Sequence, residues 1–302
     1  GNYDAAVDGD DGGRERCFGR RSDKRSGADR ACGAYFGGFA ALKEAGAVVA
    51  WGDPAKGGDV GAAAEQLREG VTSLFSSSSA FVALKRQGAV VAWGSPDGGG
   101  DLGAASAQLA DGVASICGSS GAFAALKLGG AVVTWGPAHL GGDCSAVAPH
   151  LRSGVASLHT SVSDFVAVKT QGQAVLWPHR LSRAESKALA SGVVDITSTS
   201  GSFATLKEQG AVVTFGNPYS GGDSGQVAKQ LASGVKAVYS NGSSFAAVKE
   251  AGAVVTWGNA WSGGDSSEAA DELASGVVGV HSNFAAFAAL KWEDGAAPSA
   301  RH

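Results

Sequence analysis

Val71-Thr72-Ser73-Leu74-Phe75, Ser76 to Ser79, Phe81-Val82-Ala83-Leu84-Lys85, Arg86-Gln87-Gly88, Ala89-Val90-Val91-Ala92-Trp93: these residues decide the fold. The first run is short and rich in β-formers. The serines make a turn. The second run is a strand with Phe81, Ala83 and Lys85 on one face. Arg-Gln-Gly is a tight hairpin turn, and Ala89 to Trp93 is the third strand. Gly and Pro then break the chain from Gly94 to Gly100. Asp101 opens an Ala-rich stretch that reads as a two-turn helix ending at Leu109. One unit is therefore a small antiparallel sheet followed by a helical crossover.

Outward from this unit the pattern repeats. Phe-x-Ala/Thr-Leu/Val-Lys begins at Phe39, Phe81, Phe123, Phe165, Phe203, Phe245 and Phe287, with spacings of 42, 42, 42, 38, 42 and 42. Trp51, Trp93, Trp135, Trp177, Phe215 and Trp257 follow at a constant offset. Gly-Gly-Asp recurs at Asp59, Asp101, Asp143, Asp223 and Asp265. Leu-x-x-Gly-Val recurs from Leu67, Leu109, Leu151, Leu189, Leu231 and Leu273. A lone sheet of this size cannot bury its faces, so units must pack on one another. A cyclic stack hides both faces and leaves few edges.

The expectation is an all-β, seven-bladed β-propeller of roughly 42-residue repeats with short helical crossovers. Residues 29–298 form the propeller, 1–28 an N-terminal closing strand and arm, and 299–302 a tail. The last unit lacks a third strand, so a strand near Tyr3–Val7 is expected to complete it, placing N- and C-terminal strands in one blade. Asp29–Gly33 is expected to be the first strand of the first blade.

Composition excludes several classes. The chain has 302 residues and net charge -4. Acidity disfavours nucleic acid as the main partner. No apolar run reaches the ~18 residues of a membrane-spanning helix, so the chain is not expected to be an integral membrane protein. The 47 Gly and 7 Pro fall below the roughly 25–30% of low-complexity chains. Residue 1 is Gly and Met is absent, which reads as a processed product or a piece of a longer chain. An organelle and secretion both stay open as destinations. Cys17, Cys32, Cys117 and Cys144 contain no C-x-x-C, against a zinc ribbon or redox motif. A Cys17–Cys32 pair and four unpaired thiols are both open.

Ala41 to Gly52, Ala-Leu-Lys-Glu-Ala-Gly-Ala-Val-Val-Ala-Trp-Gly, resembles the Ala-Leu-x-x-x-Gly-x-Val-x-x-Trp-Gly core of RCC1-type repeats. The likeness extends to the related propeller of the β-lactamase inhibitor protein II type, whose units also pair Ser-Gly-Val with Ala-Leu-Lys and Trp-Gly. It covers residues 29 to about 295 and implies the propeller fold. For function it implies only a choice among exchange factors, inhibitors, scaffolds and accessory domains.

The aromatic column from Trp51 to Trp257 is expected to pack between blades rather than hold sugar. The Asp of each Gly-Gly-Asp is expected to cap a helix rather than bind calcium, with Asp265-Ser266-Ser267-Glu268 spaced as a capping box. Lys43, Lys85, Lys127, Lys169, Lys207, Lys249 and Lys291 could line an anion-attracting mouth, or be solvated strand-end lysines.

Positions that vary between copies report what packing leaves free. Six residues before each Phe stand Gly33, Phe75, Cys117, His159, Thr197, Tyr239 and His281. Four after each aromatic stand Ala55, Asp97, His139, Leu181, Tyr219 and Trp261. Aromatics and histidines at such places are candidate partner anchors: Tyr219, Trp261, His139, Tyr239, Phe75, His159 and His281. They join into one patch only if both loop sets open on the same side. The shortened fourth interval, Trp177 to Arg183, is locally basic and reads as a partner contact or as drift.

No catalytic set, metal motif or cofactor motif appears. The expected function is non-catalytic binding of a protein partner through loops on one face, as a free binder or an accessory subunit of a larger assembly. The alternatives are a carbohydrate or small-anion binder and an RCC1-like nucleotide-exchange regulator.

Overall fold

The computed structural model describes residues 37–291 in full and the backbone of residues 30–33. The proposed closing strand at Tyr3–Val7, the tail at 299–302 and the Cys17–Cys32 pair lie outside the described residues.

Within them the chain is all-β, built from small antiparallel sheets in sequence order. Sheet 1 holds β1 (Arg30–Gly33), β2 (Gly38–Leu42) and β3 (Val48–Gly52). Sheet 2 holds β4 (Val71–Ser76), β5 (Ala80–Lys85) and β6 (Val90–Gly94). Sheet 3 holds β7 (Val113–Gly118), β8 (Phe123–Lys127) and β9 (Val132–Trp135). Sheet 4 holds β10 (Val155–Thr160), β11 (Phe165–Lys169) and β12 (Ala174–Trp177). Sheet 5 holds β13 (Val193–Ser198), β14 (Ser202–Lys207) and β15 (Val212–Gly216). Sheet 6 holds β16 (Val235–Ser240), β17 (Ser244–Lys249) and β18 (Val254–Gly258). Sheet 7 holds β19 (Val277–Ser282) and β20 (Phe287–Lys291). The described residues form two compact units. One ends at Gly192 and carries sheets 1–4; the other starts at Val193 and carries sheets 5–7.

In every three-stranded sheet the middle strand pairs with both neighbours. Phe81 stands opposite Trp93, and the two rings stack with centroids 5.4 Å apart. The same stacked pair recurs from Phe39–Trp51 to Phe245–Trp257, with Phe203–Phe215 in sheet 5. Period-2 alternation sends Phe, Ala or Thr, and Lys of the middle strand to one face and the two apolar residues between them to the other.

Within each unit those two faces meet in the layer between consecutive sheets. Val82, Leu84 and Val90 of sheet 2 pack on Phe123, Ala125, Val133 and Trp135 of sheet 3, closed by Ala105 and Leu109 of the crossover. Sheets 5 and 6 repeat the arrangement through Ala204, Val212, Leu231, Phe245 and Trp257. Burying a Phe or Val side chain is worth roughly 1.5–3 kcal/mol. A single sheet obtains that only by having a neighbour.

Backbone bonds fix the stacking. Val113 donates its N–H to the carbonyl of Gly88 at 3.1 Å, joining the hairpin of sheet 2 to the first strand of sheet 3. Gly88 has φ +78°, and a Cβ there would sit 2.4 Å from the Val113 nitrogen. Only glycine fits this approach.

The crossovers are not the two-turn helices expected. They are mostly 3-10 turns such as Gly61–Ala63 and the seven-residue run Gly103–Leu109. The α-helices among the described residues are α1 (Ala148–Leu151) and α2 (Arg183–Ala188). Segments this short close more readily with i→i+3 bonds. The Gly-Gly-Asp carboxylates do cap them. Asp59, Asp101, Asp143, Asp223 and Asp265 each accept the N–H two residues on, at 2.8–3.0 Å. No reciprocal box forms at Asp265–Glu268, because Asp265 turns to Ser267. The box lies instead at Ser182 and Glu185, at the start of α2.

Candidate functional site

Each three-stranded sheet has two loop sets at one end: the turn between its first two strands and the loop after its third. In sheet 6 they bond directly. Asn259 donates its N–H to Ser243 O at 3.1 Å, and Asn241 donates Nδ2–H to Ser262 O at 2.6 Å. In sheet 5, Asn217 N–H reaches Gly201 O at 2.9 Å. Both loop sets therefore open on the same side of a sheet.

Within the unit of sheets 5–7 the turns are also tied to one another. Ser200 N–H donates to Gly242 O at 3.0 Å, and Gly242 N–H to Phe284 O at 3.2 Å. A Cβ on Gly242 would touch the Phe284 ring at 3.2 Å, so that ring lies over the sheet 6 turn. The loop after β15 reaches the end of β18: a Cβ on Gly221 would come within 3.7 Å of Gly258 Cα.

Three aromatics stand out from this ladder: Tyr219 at 85%, Trp261 at 95% and Phe284 at 78% exposure. Their backbones are held. Asn217 Oδ1 accepts the Tyr219 N–H and Asn259 Oδ1 accepts the Trp261 N–H, both at 2.9 Å. These are Asx turns, which let a short side chain replace a backbone turn partner. The first Gly after each, Gly221 and Gly263, is left-handed and ends the 3-10 turn.

The other candidates fall elsewhere. Tyr239 is half-buried and packs under sheet 7. His281 is exposed on β19, and His139 is exposed on the 3-10 turn Ala138–Leu140. Phe75 is buried in the core between sheets 2 and 3. His159 is buried, its Nε2 3.0 Å from Ser157 Oγ. The Nζ groups of Lys85, Lys127, Lys169, Lys249 and Lys291 donate to carbonyls nineteen residues earlier, on Gln66, Gln108, His150, Gln230 and Glu272. These ammoniums cap crossover ends. Lys43 and Lys207 hold the same strand-end place.

Phe284, Asn217 and Asn259 were not singled out in the sequence. Phe284 had a signal. Three residues before each Phe stand Phe36, Ser78, Ser120, Val162, Ser200, Gly242 and Phe284, a third variable column. The asparagines show only as the residues two before Tyr219 and Trp261.

Sheet 4 carries a separate cluster. Asp164, buried where other copies have Gly, Ala or Ser, takes a hydrogen bond from Ser163 Oγ at 3.1 Å and lies 2.6 Å from His179 Nδ1. His179 is in the shortened loop. This pair ties that loop to the sheet where Gly-Gly-Asp is missing. Among the described residues no group of three His, Cys, Asp or Glu is placed to hold a metal ion, and no helix is long and apolar enough to cross a membrane. Cys144 is a free thiol.

The sequence matches no protein-family model and no curated protein. Solved structures do resemble it. RCC1-type and other β-propellers are among its structural neighbours. Prp20p from Saccharomyces cerevisiae, whose structure was reported with its binding to Gsp1p and histones, is 14% identical over 85% of this chain and 75% of its own, with a TM-score of 0.43. Human WBSCR16 is 14% identical at a TM-score of 0.41 over 60% of this chain, which spans 60% of that protein's chain. The β-propeller domain of Myceliophteria thermophila Cps50 (Swd1) is 16% identical over 80% and 85% of the two chains, with a TM-score of 0.34. Likeness at this level carries no argument about activity or partner.

Proposed function

We propose that this chain is a closed seven-bladed propeller, residues 29–298, that binds a protein partner without catalysing a reaction. Binding runs through the loop end of sheets 5–7. The observation that carries it is the near-complete exposure of Trp261 and Tyr219 on backbones already fixed by Asn259 and Asn217. A large aromatic exposed to water gains most by entering a partner's pocket. One whose backbone is pre-set loses little entropy on binding.

Closure is supported by two open faces. Phe39 and Trp51 of sheet 1 are 44% and 47% exposed, whereas the equivalent Phe81 and Trp93 of sheet 2 are 0% and 4%. Leu290, on the opposite kind of face in sheet 7, is exposed as well. The two faces are of the complementary types that pack together between sheets 2 and 3 and between sheets 5 and 6. Residues 1–28 would then supply the third strand of sheet 7. A short lysine-reactive cross-linker that never joins Lys43 to Lys291 in the monomer would count against closure.

The binding reading is tested by affinity capture with the wild-type chain and with Tyr219→Ala/Trp261→Ala, followed by titration of the captured protein. Loss of about 2 kcal/mol or more is expected for a hot-spot pair. A partner held equally well by both chains would remove these anchors.

A further inference from the structure

The loop end of sheets 5–7 has an unusual charge pattern. It comprises residues 199–202, 216–223, 240–244, 258–265 and 281–286. These segments contain no Lys and no Arg. Their ionisable side chains are Tyr219, Asp223, Asp265 and His281, all exposed. The two carboxylates are the residues four beyond Tyr219 and Trp261. Both are held in place: Asp223 Oδ1 accepts the Gly225 N–H at 2.8 Å, and Asp265 Oδ1 accepts the Ser267 N–H at 3.0 Å. The lysines of the same unit lie elsewhere. Lys249 and Lys291 end their strands at the opposite end of the sheets, spent on crossover carbonyls.

We infer that this end of sheets 5–7 recognises a folded protein surface with an apolar pocket rimmed by lysine or arginine, Trp261, Tyr219 and Phe284 entering the pocket while Asp223 and Asp265 face the basic rim. This rests on the binding reading above and adds the chemistry of the partner. Three observations point to it. The aromatics project, with exposures of 78–95%; they form a ridge rather than a cleft, and a ridge needs a concave partner. A sugar site is the reverse, a concavity on the protein that encloses its ligand. Among the described residues of these segments, Asp223 and Asp265 are the only Asp, Glu, Lys or Arg side chains. They favour a cationic rim and repel phosphate. An aromatic face beside a carboxylate also suits a guanidinium or ammonium. Finally, the turn-to-turn bonds through Ser200, Gly242 and Phe284 hold the ridge as one body.

Rim charges act mainly on the association rate, and buried anchors on the dissociation rate. The test uses the full chain. Proteins captured by the wild type are identified by mass spectrometry, produced in pure form and titrated by surface plasmon resonance against five chains: wild type, Tyr219→Ala, Trp261→Ala, Phe284→Ala and Asp223→Asn/Asp265→Asn. Asparagine keeps the acceptor oxygen of each cap, and equal thermal midpoints establish that the variants fold. Trp261→Ala is expected to raise the dissociation rate about thirtyfold, with Phe284→Ala in the same direction. Asp223→Asn/Asp265→Asn is expected to lower the association rate three- to tenfold, and 0.5 M NaCl to do the same to the wild type. An association rate indifferent to both the asparagine variant and salt overturns the basic-rim inference and leaves the binding reading standing. A partner indifferent to Trp261→Ala and Tyr219→Ala overturns both, as does capture of no protein. Binding on a glycan array that is lost in Trp261→Ala overturns the protein partner in favour of carbohydrate.

Discussion

The indole N–H of Trp93 donates to the carbonyl of Gly57, thirty-six residues earlier, at 3.0 Å. Gly57 is the first glycine of the loop leaving sheet 1, and Trp93 is the last core residue of sheet 2. Trp135 to Gly99, Trp177 to Gly141 and Trp257 to Gly221 repeat the bond. The tryptophan column is thus both filler and clasp. The copy that departs from it is informative: Phe215 follows the one interval that has lost Gly-Gly-Asp. Phenylalanine carries no N–H that needs such an acceptor.

Trp135→Phe removes the donor and strands the buried carbonyl of Gly99. An unsatisfied buried group costs about 1–3 kcal/mol. Urea unfolding of Trp135→Phe is expected to fall in that range, and Trp93→Phe to match it. A variant as stable as the wild type would show that the clasp contributes nothing.

Gly141 has φ +93°, and a Cβ there would sit 2.4 Å from the Phe165 ring. Gly61 is also left-handed, at φ +48°, but its Cβ would meet nothing within 4 Å. Gly61→Ala is expected to cost only the left-handed strain, about 1–2 kcal/mol. Gly141→Ala adds overpacking of about 1–3 kcal/mol. Equal midpoints in urea for the two variants would contradict the clash.

The Asp265 carboxyl is held below its ordinary value of 3.8 by the Ser267 backbone N–H first, and then by the Ser267 side chain. A lowered folded-state value means that the carboxylate is favoured in the native chain. Its contribution to stability is present above the ordinary carboxylate value and is lost as the pH falls below it through the lowered one. Asp265→Asn should therefore lose less stability than the wild type between pH 4 and pH 2, read as the change in thermal midpoint. Parallel curves for the two chains would argue against the cap.

Tyr219 and Trp261 touch little of their own chain, so Tyr219→Ala and Trp261→Ala should change stability by no more than about 0.5 kcal/mol. Phe203, 1% exposed in the sheet 5 core, should cost about 3–5 kcal/mol on truncation to Ala. Differential scanning calorimetry separates these cases. Destabilisation by Trp261→Ala comparable to Phe203→Ala would mean that the ring is a packing element and no anchor.

Strand positions were legible because the signal is covalent and periodic. Phe, Ala or Thr, and Lys alternate in every middle strand, and each hairpin has its left-handed glycine three residues after the Lys. The crossovers differ from the α-helical reading because Ala-rich sequence carries helix propensity, whereas segments this short, tied at both ends to sheets, close mostly with i→i+3 bonds. Phe75 and His159 shared a variable column with Tyr239 and His281, yet the first two are buried and His281 is exposed. Variation between copies says that a position is unconstrained by the repeat. It does not say whether a neighbouring side chain covers it.

The sequence by itself determined the repeat, its strands, the aromatic column from Trp51 to Trp257 and the absence of known catalytic motifs, since each is set by residue type and spacing along one chain. The tertiary structure alone decided that the two loop sets of a sheet share an end, that Phe284 joins Tyr219 and Trp261 there, and that the strand-end lysines close carbonyls. Those outcomes depend on which backbone groups of neighbouring sheets come within hydrogen-bond reach, and residues forty positions apart carry no record of that distance in their order.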